Sequence, residues 1–204
     1  MTQAIPQLVT FTEFVESKSD GGRYELHDGV IVSMAQPLGG DEEITGFLTL
    51  EIAAEIKRLN FPWSIPKQAL VKPPDGESAY SPDVLVLNCS NLANEPLWKQ
   101  ESTVTLGESI PLVIEVVSTN WRSDYYTKRG AYEGMEIIEY WIVDYLALGS
   151  KSFVTESEIP TVSVYQLVDD EYKVTQLRGS DRIQSSIFPE LHLTANQIFQ
   201  AATP

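Results

Sequence analysis

Sulfur and imidazole are scarce in this sequence: Cys89 is the single cysteine, and His27 and His192 are the two histidines. A lone thiol closes no internal disulfide and builds no thiolate-rich zinc site, and it fits a reducing compartment. Cys89 is expected to be a small buried or half-buried side chain rather than a reactive thiol. The two histidines lie far apart without ligand spacing, so neither is assigned to a metal. Also missing is any run approaching the ~20 consecutive apolar residues of a membrane helix. The opening MTQAIPQLVTFTEF has no basic stretch leading into an apolar one. The expectation is a cytoplasmic protein with no membrane partner.

Positive charge is the next shortage: 14 Lys and Arg stand against 29 Asp and Glu, a formal net charge of −15. Such a field repels polyanions at long range and argues against a general nucleic-acid coating protein. It leaves a nuclease open, because a site for divalent cations is itself acidic and local Lys and Arg can still contact phosphates. A hydrophobic content of 43% over 204 residues suffices for a proper core. With no internal repeat, low-complexity tract or linker, one domain is expected over 1–204. Its core would span about 41–145, with an N-terminal helix and hairpin at 10–34 and a C-terminal hairpin and helix at 160–202.

The α/β pattern is legible in chain order. Thr10 to Ser17 reads as a short helix capped by Thr10 or Thr12. Arg23–Leu26 and Val30–Met34 flank His27-Asp28-Gly29, a hairpin signal. Between Asp41 and Leu59, Ile44, Phe47, Leu48, Ile52, Ile56 and Leu59 recur at helical spacing. Trp63 to Val71 reads as a strand, Lys72–Gly76 as a turn and Asp83–Leu87 as a buried strand. Asn88 to Ile110 is long, polar and aperiodic, the mark of a functional loop or flap, with Trp98 to pin it. Val162–Leu167 and Tyr172–Leu177 alternate around Asp169-Asp170-Glu171 as a second hairpin, and a short helix starts at Thr194.

The chemistry concentrates in Pro111 to Tyr145. Pro111-Leu-Val-Ile-Glu-Val-Val117 is an apolar, β-branched run with Glu115 at its centre, read as a buried strand. An unpaired carboxylate in a core costs several kcal/mol or takes up a proton, so Glu115 should face a metal, a cation or an open cleft. Pro82-Asp83 opens another apolar strand. Glu115 and Val117 share a strand face, giving P-D, a gap, then E-x-V. This resembles the PD-(D/E)XK nuclease signature, in which two acids hold Mg²⁺ and a lysine normally follows two residues after the second. Val117 occupies the lysine's place. The helix capped by Ser118-Thr119-Asn120 carries Asp124 and Lys128 at i and i+4, and a lysine there can point back at Glu115.

Taken with Tyr132 and Glu139-Tyr-Trp-Ile-Val-Asp144, these residues resemble the Uma-two family of restriction endonucleases, a branch of that superfamily. Arg23-Tyr-Glu-Leu-His-Asp-Gly29 is similar to the family's opening hairpin. Val162–Tyr165, Phe188–Leu191 and Ile198-Phe199 are similar to its closing hairpin and helix. The resemblance implies an α/β (α+β) restriction-endonuclease-like core, a mixed β-sheet flanked by helices, with added terminal hairpins. It implies Asp83 and Glu115 as acids for Mg²⁺ or Mn²⁺, Lys128 as the migrated catalytic lysine and Asp124 as a further characteristic acid. Glu25, Glu43 and Gln68 are weaker candidates for the outer site. The chain departs from the family at Asp41-Glu-Glu43, where His is frequent, and at Glu190, where Gly is usual.

The implied activity is metal-assisted phosphodiester hydrolysis of nucleic acid, with DNA the expected substrate and a homodimer a possible assembly. Bland alternatives stand beside each assignment. Asp83 can cap a strand end or pair with an arginine, and Glu115 with Lys128 can be a buried ion pair. Asp124 with Lys128 is by spacing alone a solvated helix pair. Glu25 reads as a surface strand residue, Glu43 as a solvated first-turn acid, and Tyr132, Tyr140 and Trp141 as core. The rival function is a catalytically silent module of the same fold that binds a protein or nucleic-acid partner.

Overall fold

The structure is a computed structural model that describes residues 7–17, 22–118, 120–149, 153 and 158–202. Thr119, in the expected cap, lies outside the described residues. Helix α1 (Phe11–Ser17) buries Phe11 and Phe14. It starts with a reciprocal cap, in which the Glu13 amide donates to Thr10 Oγ1 and the Thr10 amide donates to the Glu13 carboxylate. Strands β1 (Tyr24–His27) and β2 (Val30–Ser33) close over Asp28 and Gly29 at φ 49° and 81°, the left-handed pair a two-residue hairpin needs. Helix α2 (Gly39–Arg58) then buries Ile44, Leu48, Ile52 and Ile56 in one stripe.

The strand expected over 63–71 is two elements in different sheets. Strand β3 (Trp63–Ser64) pairs antiparallel with β5 (Val84–Asn88), whereas β4 (Leu70–Val71) pairs parallel with β6 (Thr103–Val104). Pro66 separates them, since it has no N–H for a ladder and restricts the residue before it. Cys89, just past β5, is exposed rather than buried, with its Sγ 3.3 Å from Ser64 Oγ. It lies beyond the packed part of the strand, next to the edge strand β3.

The principal sheet runs β10-β9-β8-β7-β5-β3, with β7 (Leu112–Val116), β8 (Glu139–Asp144), β9 (Thr161–Val168) and β10 (Glu171–Leu177). Only β7 and β8 are parallel in it, and a parallel pair needs a crossover. A π-helical segment, Ser123–Lys128, leading into helix α4 (Arg129–Gly134) supplies it. Helix α5 (Ala195–Gln200), capped by Thr194, packs with α2 on the opposite face.

Period-2 alternation divides the core. Leu112, Ile114 and Val116 face α2 and α5, while Val113 and Val117 face the crossover with Tyr125, Tyr132 and Tyr140. Tyr132, Tyr140 and Trp141 are all fully buried. Glu115 therefore points into the second layer.

The stretch 88–110 is tied down rather than hanging free. It contains a short helix, α3 (Trp98–Glu101), and β6, and buried Glu95 accepts hydrogen bonds from Thr105 N, Thr105 Oγ1 and Leu106 N. Gly107 lies so close to the end of α4 that a Cβ there would fall 1.8 Å from the Met135 carbonyl oxygen. A backbone atom cannot rotate away, so Gly107→Ala must displace the loop or the helix end. We predict a loss of about 2–4 kcal/mol in urea denaturation; a variant as stable as wild type would show that this contact is dispensable.

Candidate active site

The site is assembled from four separate elements. Val84 pairs with Ile114 and Leu85 with Val113, so the next step of the same register sets Asp83 opposite Glu115. Two like charges facing each other across a ladder destabilise a sheet. The local answer is that the Val116 amide donates to Asp83 Oδ2 at 2.8 Å. The crossover brings Asp124, Lys128 and Tyr132, at i, i+4 and i+8, down over the same face. The N-terminal hairpin brings Glu25. Reciprocal backbone bonds between Leu26 and Ala79 dock that hairpin, and the Ser81 amide donates to Glu25 Oε1 at 3.0 Å.

Lys128 is the centre of the arrangement. Its Nζ lies 3.0 Å from Glu25 Oε1, 3.1 Å from Glu115 Oε1 and 3.4 Å from Asp124 Oδ1, and its side chain is 5% exposed. An ammonium has three protons, and each has one carboxylate to meet. Tyr132 donates its hydroxyl to Glu115 Oε1 at 3.2 Å, and Tyr140 donates to the Asp124 carbonyl at 3.1 Å. His27 Nε2 is 2.8 Å from Glu25 Oε2. At the rim, Arg23 reaches within 4.0 Å of Asp83 Oδ1, and about a quarter of the Asp83 side chain is exposed.

A family model described as "Uma2: Putative restriction endonuclease" matches residues 11–196. The chain belongs to this family. Among solved structures, it is similar to one described as a putative nuclease belonging to DUF820 from Anabaena variabilis ATCC 29413. The TM-score is 0.73 at 16% sequence identity, over 95% of this chain and 99% of that one. At that identity the likeness establishes the fold: a mixed sheet flanked by helices, as expected of a restriction-endonuclease-like core. No curated protein matches the chain. Among the described residues no helix is long and apolar enough to cross a membrane.

Electrostatics separate the carboxylates of this Uma2-family site. Burial raises the pKa of Glu25, but Lys128, His27 and the Ser81 amide outweigh it and hold the group at about 2. Burial pushes Glu115 well above the usual carboxylate range, and Lys128 offsets this only in part. Burial likewise lifts Asp124 to about 6 against the pull of Lys128. Asp83 is raised by partial burial, moderated by the Val116 amide. For Lys128, burial favours the neutral amine, yet Glu115, Asp124 and Glu25 together hold its pKa well above the ordinary value.

Four carboxylates against Lys128 and Arg23 leave negative charge in excess when all are ionised. Among the described residues, no three His, Cys, Asp or Glu side chains form a group able to hold a metal ion. Asp83 and Glu115 are the two acids that the sheet register sets face to face. Two hard oxygen donors and surplus negative charge suit Mg²⁺, which keeps several waters.

The weaker candidates fall in different places. Glu25, which reads as a surface residue in the sequence, is buried and is the nearest partner of Lys128. Glu43 is exposed on α2 and stands outside the cluster. The buried first-turn acid is Asp41, which accepts from the Leu38 amide and the Tyr145 hydroxyl. Gln68 is exposed beside a cavity that it shares with Arg23 and Ser81. Reading the sequence missed the polar contacts of His27 and Tyr132. Period 2 from Glu25 and i+4 from Lys128 were the available signals.

Lys128→Met leaves three buried acids without their cation and is expected to cost about 3–5 kcal/mol at pH 7. Urea denaturation with 1 mM-scale chelator present would contradict the ion-pair account if the loss were negligible. For Asp124 the folded value, about 6, exceeds the ordinary 3.8. Between these values the folded state binds a proton that the unfolded chain does not, so this group's contribution to stability falls as pH rises from about 4 to about 6. Asp124→Asn removes that slope. Relative to wild type, the variant should gain up to about 3 kcal/mol between pH 4 and 7, and a pH-independent difference would refute the assignment.

Proposed function

We propose that the chain is a Mg²⁺- or Mn²⁺-dependent endonuclease that hydrolyses phosphodiester bonds of DNA. Membership of the family supports a nuclease in general. The observation that carries the finer reading is the lysine at 3.1 Å from Glu115, delivered by the crossover helix to the face where Asp83 stands opposite. Val117 leaves the strand position apolar, and Lys128 supplies the ammonium from another element.

In this reading Asp83 and Glu115 hold the metal. When bound, it supplies a polarised phosphoryl oxygen and a water of lowered pKa. Lys128 and Tyr132 both engage Glu115 Oε1, which fixes that carboxylate in one orientation. The Lys128 ammonium, locked by Glu25 and Asp124, provides a preorganised positive charge against the charge developing on the phosphate. Glu25 acts through Lys128 and so positions it. The whole chain is read as one domain in the cytoplasm. A homodimer could use the exposed Val168 and Val174 of the β9–β10 hairpin, and a light-scattering mass decides it.

The test is cleavage of labelled DNA and RNA substrates in Mg²⁺ or Mn²⁺. Asp83→Ala, Glu115→Gln and Lys128→Met should each lose at least about 100-fold in rate, in keeping with loss of a preorganised electrostatic group. Asp83→Ala retaining wild-type rate would overturn the reading. One observation favours the alternative, a silent module that binds a protein or nucleic-acid partner: every Lys128 proton already faces a carboxylate within the protein. Calorimetric Mg²⁺ titration separates them, because a signal present in wild type and lost in Glu115→Ala contradicts silence.

A further inference from the structure

We propose that Arg23 is a phosphate-positioning residue: its guanidinium receives a backbone phosphate of duplex DNA in the cavity beside Asp83. This rests on the nuclease reading above. The two cations of the cluster are in opposite situations. Lys128 is buried with its protons committed at 3.0, 3.1 and 3.4 Å. Arg23 is 35% exposed, and among the described residues its acidic partner is Asp83, whose Oδ1 at 4.0 Å is at the outer limit of an ion pair. Its donors are thus available to a ligand.

The placement follows from the chain. Arg23, directly before β1, keeps the pairing with β2 through the Met34 amide and stands two residues from Glu25, so the two project to the same side. Glu25 runs inward to Lys128, and Arg23 stays at the rim. There it lines a cavity of about 220 Å³ together with Gln68, Ser81, Ser102 and Glu101. A guanidinium fork matches two oxygens of a phosphate, and swapping Asp83 for phosphate costs Arg23 little at 4.0 Å. In a chain of net charge −15, a DNA strand needs a local cation at the site. Among the other arginines, Arg58 binds Glu55 and Glu190 at 2.8 Å, Arg182 the carbonyls of Leu191 and Pro189, Arg178 Thr161 and Gln176, and Arg129 Glu133 at 3.8 Å, while Arg122 stacks on Trp121. Glu101 is the acid of the lining and opposes phosphate, which gives a variant of opposite sign.

The experiment is anisotropy titration of a fluorescein-labelled DNA duplex over a salt series, with Ca²⁺ in place of Mg²⁺ to suppress turnover, alongside cleavage kinetics in Mg²⁺. Arg23→Gln should weaken binding about tenfold. It should also flatten the slope of log Kd against log salt by about 0.9 and raise KM more than it lowers kcat. Arg23→Lys should restore the slope and only part of the affinity, because a point charge lacks the fork. Glu101→Gln should tighten binding, and Arg58→Gln, which removes an equal charge on the α2 layer, should leave the salt slope unchanged. If wild type cleaves DNA while Arg23→Gln keeps its affinity and slope, the phosphate contact is overturned and the nuclease reading stands. A fall in kcat at unchanged slope assigns Arg23 to holding Asp83 and likewise overturns it. Binding with the predicted slope change but no cleavage supports the contact and removes the nuclease reading. A wild type that neither binds nor cleaves removes both.

Discussion

The arrangement depends on one buried ammonium. Without Lys128, Glu25, Glu115 and Asp124 would be three acids gathered under 10% or less exposure with no cation among them. Burying several carboxylates is among the more expensive things a fold can do, and a single paired cation recovers only part of the cost. The remainder is visible in the raised pKa values of Glu115, Asp124 and Asp83. Surplus buried charge of this kind is poor structural economy. It is ordinary where a divalent cation or a phosphate is to be met, as in the proposed function.

Other buried acids in the same chain show the contrast. Glu139 is fully buried, but its oxygens accept from Trp141 Nε1, Ser186 N and Ser186 Oγ, and no cation is required. Glu95 is satisfied by the amides of Thr105 and Leu106 and pins a loop. These are neutral donors arranged around one carboxylate each. At the Lys128 cluster, by contrast, the acids face one another across an antiparallel ladder and a helix, and backbone donors alone do not serve them. The sheet register that sets Asp83 opposite Glu115 therefore creates the problem that the crossover helix answers.

Much of this was legible from residues alone. A carboxylate in the middle of an apolar run has few explanations, so Glu115 stood out, and i,i+4 spacing linked Asp124 to Lys128. Helices α1, α2 and α5 and both hairpins follow from periodicity, caps and the Asp28-Gly29 and Asp169-Asp170 turns, which are local properties. The failures are non-local. Pro66 was available to split the 63–71 strand, yet nothing nearby shows that its halves join different sheets. Glu25 alternates like any surface strand residue, and its burial follows from the docking of β1–β2 onto Ala79 and Ser81. The 88–110 stretch lacks periodicity because Glu95 and Gly107 order it through single contacts.

The kinds of element, the apolar faces, the family and the anomaly of Glu115 are all written in spacing along the chain. Which charges meet is settled by packing. Register set Asp83 against Glu115, hairpin docking added Glu25 and His27 and kept Arg23 at the rim, and the crossover aimed Lys128 inward. The physical reason is that Coulomb and hydrogen-bond energies depend on separations of a few ångströms between residues remote in sequence, and a linear pattern carries no such distance.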